Sequence, residues 1–127
     1  MLRLFILVLL SLTILLHYST TTHIDGLFED NIDYDSILKQ DYLLKPYMDC
    51  VMEQSRCNKD GKYLKKALPY IIKTECQYCN VDQKKKLTKL IEKFRKYQPT
   101  EFQKLLTKYD PNNSHWNAFE KLVEEYK

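Results

Sequence analysis

Cys50-Val-Met-Glu-Gln-Ser-Arg-Cys57 and, after an eighteen-residue interval, Cys76-Gln-Tyr-Cys79 hold all four cysteines of the 127-residue chain. Their spacing, C-x6-C-x18-C-x2-C, lies in the middle third, so both flanks must hold together by packing alone. Two readings compete, a zinc site and a pair of disulfides. The compartment decides between them, because thiols persist in the cytosol whereas disulfides form along the secretory route.

The start of the chain points to that route. Arg3 supplies one positive charge, Leu4 to Leu16 is apolar except for Ser11 and Thr13, and small residues follow from Ser19 to Thr22. This is the order of a secretory signal peptide, expected over residues 1–22 and leaving a single ligand-binding domain over residues 23–127. A membrane anchor is the competing reading. The apolar run of about 13 residues falls short of the ~20 that a helix needs to cross a bilayer, and no second such run follows. The expected product is secreted and extracellular, without stable membrane insertion.

Export favours disulfides. Zinc is further disfavoured because a structural knuckle pairs its cysteines about two to four residues apart, so Cys50/Cys57 is too wide and Cys76/Cys79 alone is half a site. No metal and no cofactor is implied. Four cysteines allow three pairings, and counting does not choose among them. A local pairing would close rings of eight and four residues, worth roughly 2–2.5 kcal/mol apiece in chain entropy. Such rings staple adjacent helix ends without tying distant helices together.

Charge is uneven along the chain. Ile24 to Asn58 carries three basic and eight acidic residues, Lys59 to Lys96 twelve and four, and Tyr97 to Lys127 four and five. Lys84-Lys85-Lys86 and the group Lys93, Arg95 and Lys96 could address a nucleic acid or an anionic membrane. The acidic first third, the export signal and the lack of a nucleic-acid motif make them instead an ordinary solvated helix face, so no nucleic-acid partner is expected.

With only two glycines and four prolines, the runs between them follow helical period and none alternates as a half-buried strand does. The chain reads as all-α. Asn31-Ile-Asp33 can cap a first short helix through Ser36, Ile37 and Leu38. Asp41 can cap a second, with Pro46 either straining its interior or, if the helix starts at Lys45, favouring its first turn. Asp60-Gly61 opens a third carrying Tyr63, Leu64, Leu68, Ile71 and Ile72, which Pro69 should bend or break. Asp82 opens the most regular helix, with Leu87, Leu90, Ile91, Phe94 and Tyr97 on one face. Pro99 ends it, and Thr100-Glu101-Phe102-Gln103 has capping-box spacing for a fifth carrying Phe102, Leu105, Leu106 and Tyr109. After the turn Asp110-Pro111-Asn112-Asn113, Ser114 caps the last, with Trp116, Phe119, Val123 and Tyr126.

The cysteine spacing, with Asn31-Ile-Asp-Tyr-Asp-Ser-Ile-Leu38 and Leu43-Leu44-Lys45 before it, Leu64-Lys65-Lys66-Ala67-Leu68-Pro69 within it and Lys108-Tyr109-Asp110-Pro111 after it, resembles the insect chemosensory proteins, the olfactory-segment-D-like family. The likeness spans about residues 28 to 111. It implies a compact bundle of six short helices around an apolar channel, local disulfides joining Cys50 to Cys57 and Cys76 to Cys79, and reversible carriage of long-chain fatty acids, esters, hydrocarbons and semiochemicals by a monomer. Tyr47 matches a channel-lining tyrosine of the family. Phe28 and Glu29 stand where the family usually has a tyrosine before Asp-Asn-Ile, Phe102 stands where it often has tryptophan, and the tail from Ser114 is more apolar, which would reshape the channel mouth.

Ten tyrosines and five phenylalanines can fill a core, the default for any one aromatic, or can leave an apolar cavity whose walls desolvate an alkyl chain. The candidate channel residues are Ile32, Leu38, Tyr47, Val51, Leu64, Leu68, Ile72, Leu90, Phe94, Phe102 and Trp116. Catalysis has little to stand on. His17 lies in the signal and His23 at the mature terminus, which leaves His115, and no Ser/His/Asp or metal set is visible. Cys76-Gln-Tyr-Cys79 has the redox CxxC form without the strand-and-helix setting such enzymes use. Asn112-Asn113-Ser114 has the form of an N-glycosylation sequon. The rival reading is a secreted helical signalling or structural partner in development or cuticle, with ligand binding incidental.

Overall fold

A computed structural model describes residues 1–21 and 32–127, with only the helical backbone described for 15–21. Its helices are α1 (Leu2–Thr21), α2 (Tyr34–Lys39), α3 (Asp41–Val51), α4 (Lys59–Thr74), α5 (Val81–Tyr97), α6 (Pro99–Tyr109) and α7 (Trp116–Tyr126). No strand occurs among the described residues. The apolar side chains of α1 stand exposed from Leu2 to Ile14. The side chains at the expected cleavage region, the expected mature terminus at His23, and Phe28, Glu29 and Asn31 lie outside the described residues. Among those described, no helix is long and apolar enough to cross a membrane.

The cysteines are paired locally, Cys50 to Cys57 and Cys76 to Cys79, with Cα atoms 4.9 Å and 5.1 Å apart. The first staple joins the end of α3 to the approach of α4. It leaves no room for a side chain at Gly61, where a Cβ would come within 3.0 Å of Cys50 Sγ and of the capping Asn58 Oδ1. The second follows α4, whose exit needs left-handed backbone at Glu75 (φ 53°) and Cys76 (φ 56°). Thus α4 is bracketed by a covalent ring at each end.

Several helix starts differ from the sequence reading, at α4 and α5 because another side chain reaches the free N–H groups first. Asp33 does cap α2, accepting from Ser36 N at 3.0 Å and Ser36 Oγ at 2.6 Å. At α3, however, Gln40 occupies the capping position and Asp41 is already helical, its carboxylate taken by Gln98 Nε2 at 2.8 Å. Pro46 therefore sits inside the helix rather than in its first turn. Asn58, not Asp60, caps α4 through Gly61 N at 2.7 Å, and the helix runs unbroken through Pro69. Asn80 and Gln83 form a reciprocal capping box that starts α5 at Val81, ahead of Asp82. The capping box expected at Thr100 does not form, because Pro99 serves as the first residue of α6 and places Thr100 inside it.

The core falls into two apolar clusters. One gathers Leu38, Leu44, Met48, Cys50, Val51 and Leu105. The other gathers the inner faces of α4, α5, α6 and α7, including Ile71, Leu87, Ile91, Phe102, Leu106 and Phe119. Both draw in Leu64, Phe94 and Tyr109 from their borders.

Candidate functional site: an apolar cavity

Between the two clusters lies a cavity of about 110 Å³. Every helix from α2 to α7 contributes to its wall, with Tyr34, Ile37 and Leu38 from α2, Leu44, Tyr47 and Met48 from α3, and Leu64, Leu68, Ile71 and Ile72 from α4. Leu87, Leu90, Ile91 and Phe94 of α5, Phe102, Leu105 and Leu106 of α6, and Trp116 and Phe119 of α7 complete it around Asp110. One side is a relay of rings. Phe102 meets Phe94 edge-on at 5.4 Å and Trp116 edge-on at 5.3 Å, and Trp116 stacks on Phe119 at 6.3 Å. Arg95 lies over the Trp116 ring at 5.6 Å and reaches Glu120 at 3.8 Å, closing that side toward solvent.

Asp110 is the one acidic residue among the described lining residues, and it is not turned to the cavity's service. Only 3% exposed, it accepts from Ser114 N (3.0 Å), Ser114 Oγ (3.1 Å), His115 N (3.1 Å) and Trp116 N (2.9 Å). Burial pushes its carboxyl upward, but these donors outweigh burial and hold it below the usual carboxylate range. The expectation that Ser114 caps the last helix is thereby corrected. Asp110 caps α7 from across the turn, with Ser114 as one of its donors, and the caps together fix Trp116 at the cavity. At the far end, His115 Nδ1 lies 3.0 Å from Glu75 Oε1, linking the start of α7 to the exit of α4.

Of the eleven candidate channel residues, nine line the cavity: Leu38, Tyr47, Leu64, Leu68, Ile72, Leu90, Phe94, Phe102 and Trp116. Two do not. Val51 is wholly buried in the Leu38–Leu105 cluster, and its carbonyl accepts from the Tyr109 hydroxyl at 2.7 Å. Burial raises the Tyr109 phenol above its ordinary value. Ile32 stands before α2, its carbonyl accepting from Tyr34 N at 3.0 Å, and Tyr34 and Ile37 supply that wall instead. Sequence reasoning did not name eleven other lining residues, among them Leu44, three residues before Tyr47, Met48, three before Val51, and Phe119, three after Trp116. A stricter three-and-four-residue count from the named positions would have reached all three. Asn112 lies in the exposed turn before Asp110's donors.

The profile of the insect pheromone-binding family, A10/OS-D, matches residues 28–117. Ejaculatory bulb-specific protein 3 of Drosophila melanogaster is 37% identical over 95 residues, 75% of either chain, and allergen Tha p 1 of Thaumetopoea pityocampa is 34% identical over 98 residues, 77% of this chain and 78% of that protein. Among solved structures, a chemosensory protein in complex with bromo-dodecanol superposes with a TM-score of 0.62 at 35% identity, covering 76% of this chain and 93% of that one. Antennal chemosensory protein A6 of Mamestra brassicae, in its tetragonal form, gives 0.58 at 34% identity over 75% and 95%. With its four cysteines, six bundled helices and apolar interior, the chain belongs to the insect pheromone-binding A10/OS-D family.

Proposed function

We propose that the protein is a secreted carrier that reversibly binds one long-chain hydrophobic molecule, a fatty acid, ester, hydrocarbon or similar semiochemical, in the cavity between α2 and α7. In this reading residues 1–22 direct export and residues 23–127 form the working domain, a monomer. The observation that carries it is the cavity walled by six helices, apolar but for Asp110 and two tyrosines, in a fold whose solved relative was captured with bromo-dodecanol. Apolar walls desolvate an alkyl chain at ~0.8 kcal/mol per methylene, and reversible release requires no bond to be made or broken. Leu38, Tyr47, Leu64, Leu68, Ile72, Leu90, Phe94, Phe102 and Trp116 are the proposed contacts.

The cavity's size shapes the mechanism. At about 110 Å³ it is well under the ~300–1,000 Å³ typical of ligand pockets, so a long chain enters by parting helices rather than by filling existing space. The staples allow this, since each closes its ring between sequence neighbours and leaves the helices free to separate. Hydrogen exchange resolved by helix should change on saturation with lipid. An unchanged pattern would sink the swelling mechanism while leaving binding itself intact.

Binding is tested on the product secreted by a host expressing the whole chain. A hydrophobic fluorescent probe is titrated, then displaced with fatty acids and esters of increasing length. Saturable one-to-one binding, tightening with length and then weakening, supports a finite channel. No saturable binding by a well-folded sample overturns the carrier reading in favour of a protein-partner role.

A further inference from the structure

The helix that walls the cavity turns a chemically different face to solvent. Leu64, Leu68, Ile71 and Ile72 of α4 face inward. On its other side Lys59, Lys62, Tyr63, Lys66 and Lys73 follow one another along the helix, at spacings that bring side chains beside one another on one face, while Tyr70 packs half-buried against the core. The four lysines are exposed, and Tyr63 is 43% exposed. Arg56, from the Cys50–Cys57 ring, extends the stripe at one end, sharing a shallow surface concavity with Lys62, Lys65 and Lys66. Tyr78, from the Cys76–Cys79 ring, extends it at the other; it is 60% exposed, with its ring stacked on Tyr70 at 6.4 Å.

The charge of this stripe is unmatched. Among the described residues Arg56, Lys59, Lys62, Lys66 and Lys73 have no acidic partner, and Lys65 at its edge alone finds one, Glu53 at 3.4 Å. The lysine-rich α5, the densest basic stretch of the sequence, is matched only in part. Lys86 pairs with Asp82, Lys93 with Asp35 and Arg95 with Glu120, while Lys84 and Lys96 lie over the rings of Tyr126 and Tyr97. Lys85 and Lys89 of α5 have no acidic partner among the described residues either, so what sets the α4 face apart is that its unpaired lysines stand among the exposed rings of Tyr63 and Tyr78. Like charges at four-residue spacing, such as Lys62 and Lys66, work against the helix and nothing in the fold uses them.

We propose that this face of α4, with Arg56 and Tyr78 at its ends, docks the protein peripherally on an anionic lipid bilayer. Basic residues are drawn to anionic headgroups, and exposed tyrosines settle at headgroup depth with ring in and hydroxyl out. That interleaving of tyrosine with lysine fits a lipid surface better than a sulfated polyanion recognised by its charge. The cavity wall of α4 then lies directly behind the docked face. The inference goes beyond the carrier reading, and its test uses no cargo, so either can fail alone.

The test is cosedimentation of the secreted full-chain product with vesicles of phosphatidylcholine, with or without phosphatidylserine. Binding is expected only to the anionic vesicles, and its loss in ~1 M salt, where screening falls to ~3 Å. K62Q/K66Q should lower partitioning about 25-fold, at about fivefold per basic residue, with helix content checked by circular dichroism. The single variant K73Q, the reserve should the double variant misfold, should lower it about fivefold. The control K85Q/K89Q removes the same charge from α5 and should change it less than about threefold. Equal binding to both vesicle types, or equal loss from both double variants, overturns the proposal. So does binding to a sulfated polysaccharide by a protein that ignores anionic vesicles.

Discussion

The two apolar clusters draw their buried residues from different sets of helices, α2, α3 and α6 for one and α4 to α7 for the other, and they end differently. Around Val51 the space is filled by aliphatic side chains, one disulfide sulfur and a hydroxyl: Leu38, Leu44, Met48 and Leu105 close over Cys50 and Val51, and Tyr109 pins the Val51 carbonyl. Across the bundle the packing passes through rings, Phe94, Phe102, Trp116 and Phe119, two of whose three contacts are edge-on. Jointed aliphatic chains can take the shape of the gap beside them, whereas flat rings set edge-to-face keep their geometry and leave volume at their corners. The cavity borders both clusters, with Leu38, Leu44, Met48 and Leu105 as its aliphatic wall and the rings as its stiff wall, while Val51, in the same aliphatic cluster, lies outside the lining.

The sharpest way to break the contrast is to truncate one residue from each side. Phe102→Ala should lower unfolding stability by about 3–5 kcal/mol and Val51→Ala by about 2 kcal/mol. Affinity for an alkyl probe should shift more than about tenfold in the first, which removes ring wall, and less than about twofold in the second. If Val51→Ala moves the affinity as far as Phe102→Ala does, the two clusters are not functionally distinct.

Next in size is the cap that seats Trp116. Asp110→Asn offers one oxygen where two received four donors, and should cost about 1.5–2 kcal/mol at neutral pH in denaturant unfolding. Because the folded carboxyl titrates below its unfolded value, its contribution is present above about pH 3.9 and fades as pH falls through the lower folded value. The gap between wild type and variant should therefore hold from neutrality to about pH 4 and close below it. A gap that closes near neutrality would mean the carboxylate is not what holds the turn.

The smallest effect sharpens the closed side. Tyr109→Phe leaves the Val51 carbonyl without its donor and should cost about 1 kcal/mol, with probe affinity unchanged. A large loss of affinity there would place Tyr109, on the border of both clusters, with the ligand instead.

Much of this arrangement was legible in the residues, and the rest was hidden for identifiable reasons. Helical period found all six bundled helices, since the inward positions of α5 and α7 recur without interruption. Starts were displaced by a residue or two where two cap-forming residues stand close, as Asn58 with Asp60 and Asn80 with Asp82, because hydrogen-bond geometry decides between them. Pro99 read as a stop is also a start. Period says that Val51 faces inward but not which of two interiors it meets. Asp110 was read as part of a turn because its role is to collect N–H groups up to six residues ahead, beyond the reach of a cap read by the usual spacing.

The two disulfide rings also decide where the backbone can be cut without dividing the molecule. Glu53 to Arg56 are exposed, the kind of tip at which proteases nick, and Arg56 offers itself to any enzyme that cleaves after basic residues. Scission there falls inside the ring closed by Cys50 and Cys57, so the fragments stay joined. A nick at the exposed turn of Pro111 to Ser114 has no such bridge and would leave α7 attached by noncovalent contacts alone. The chain thus carries an exposed arginine where breakage matters least.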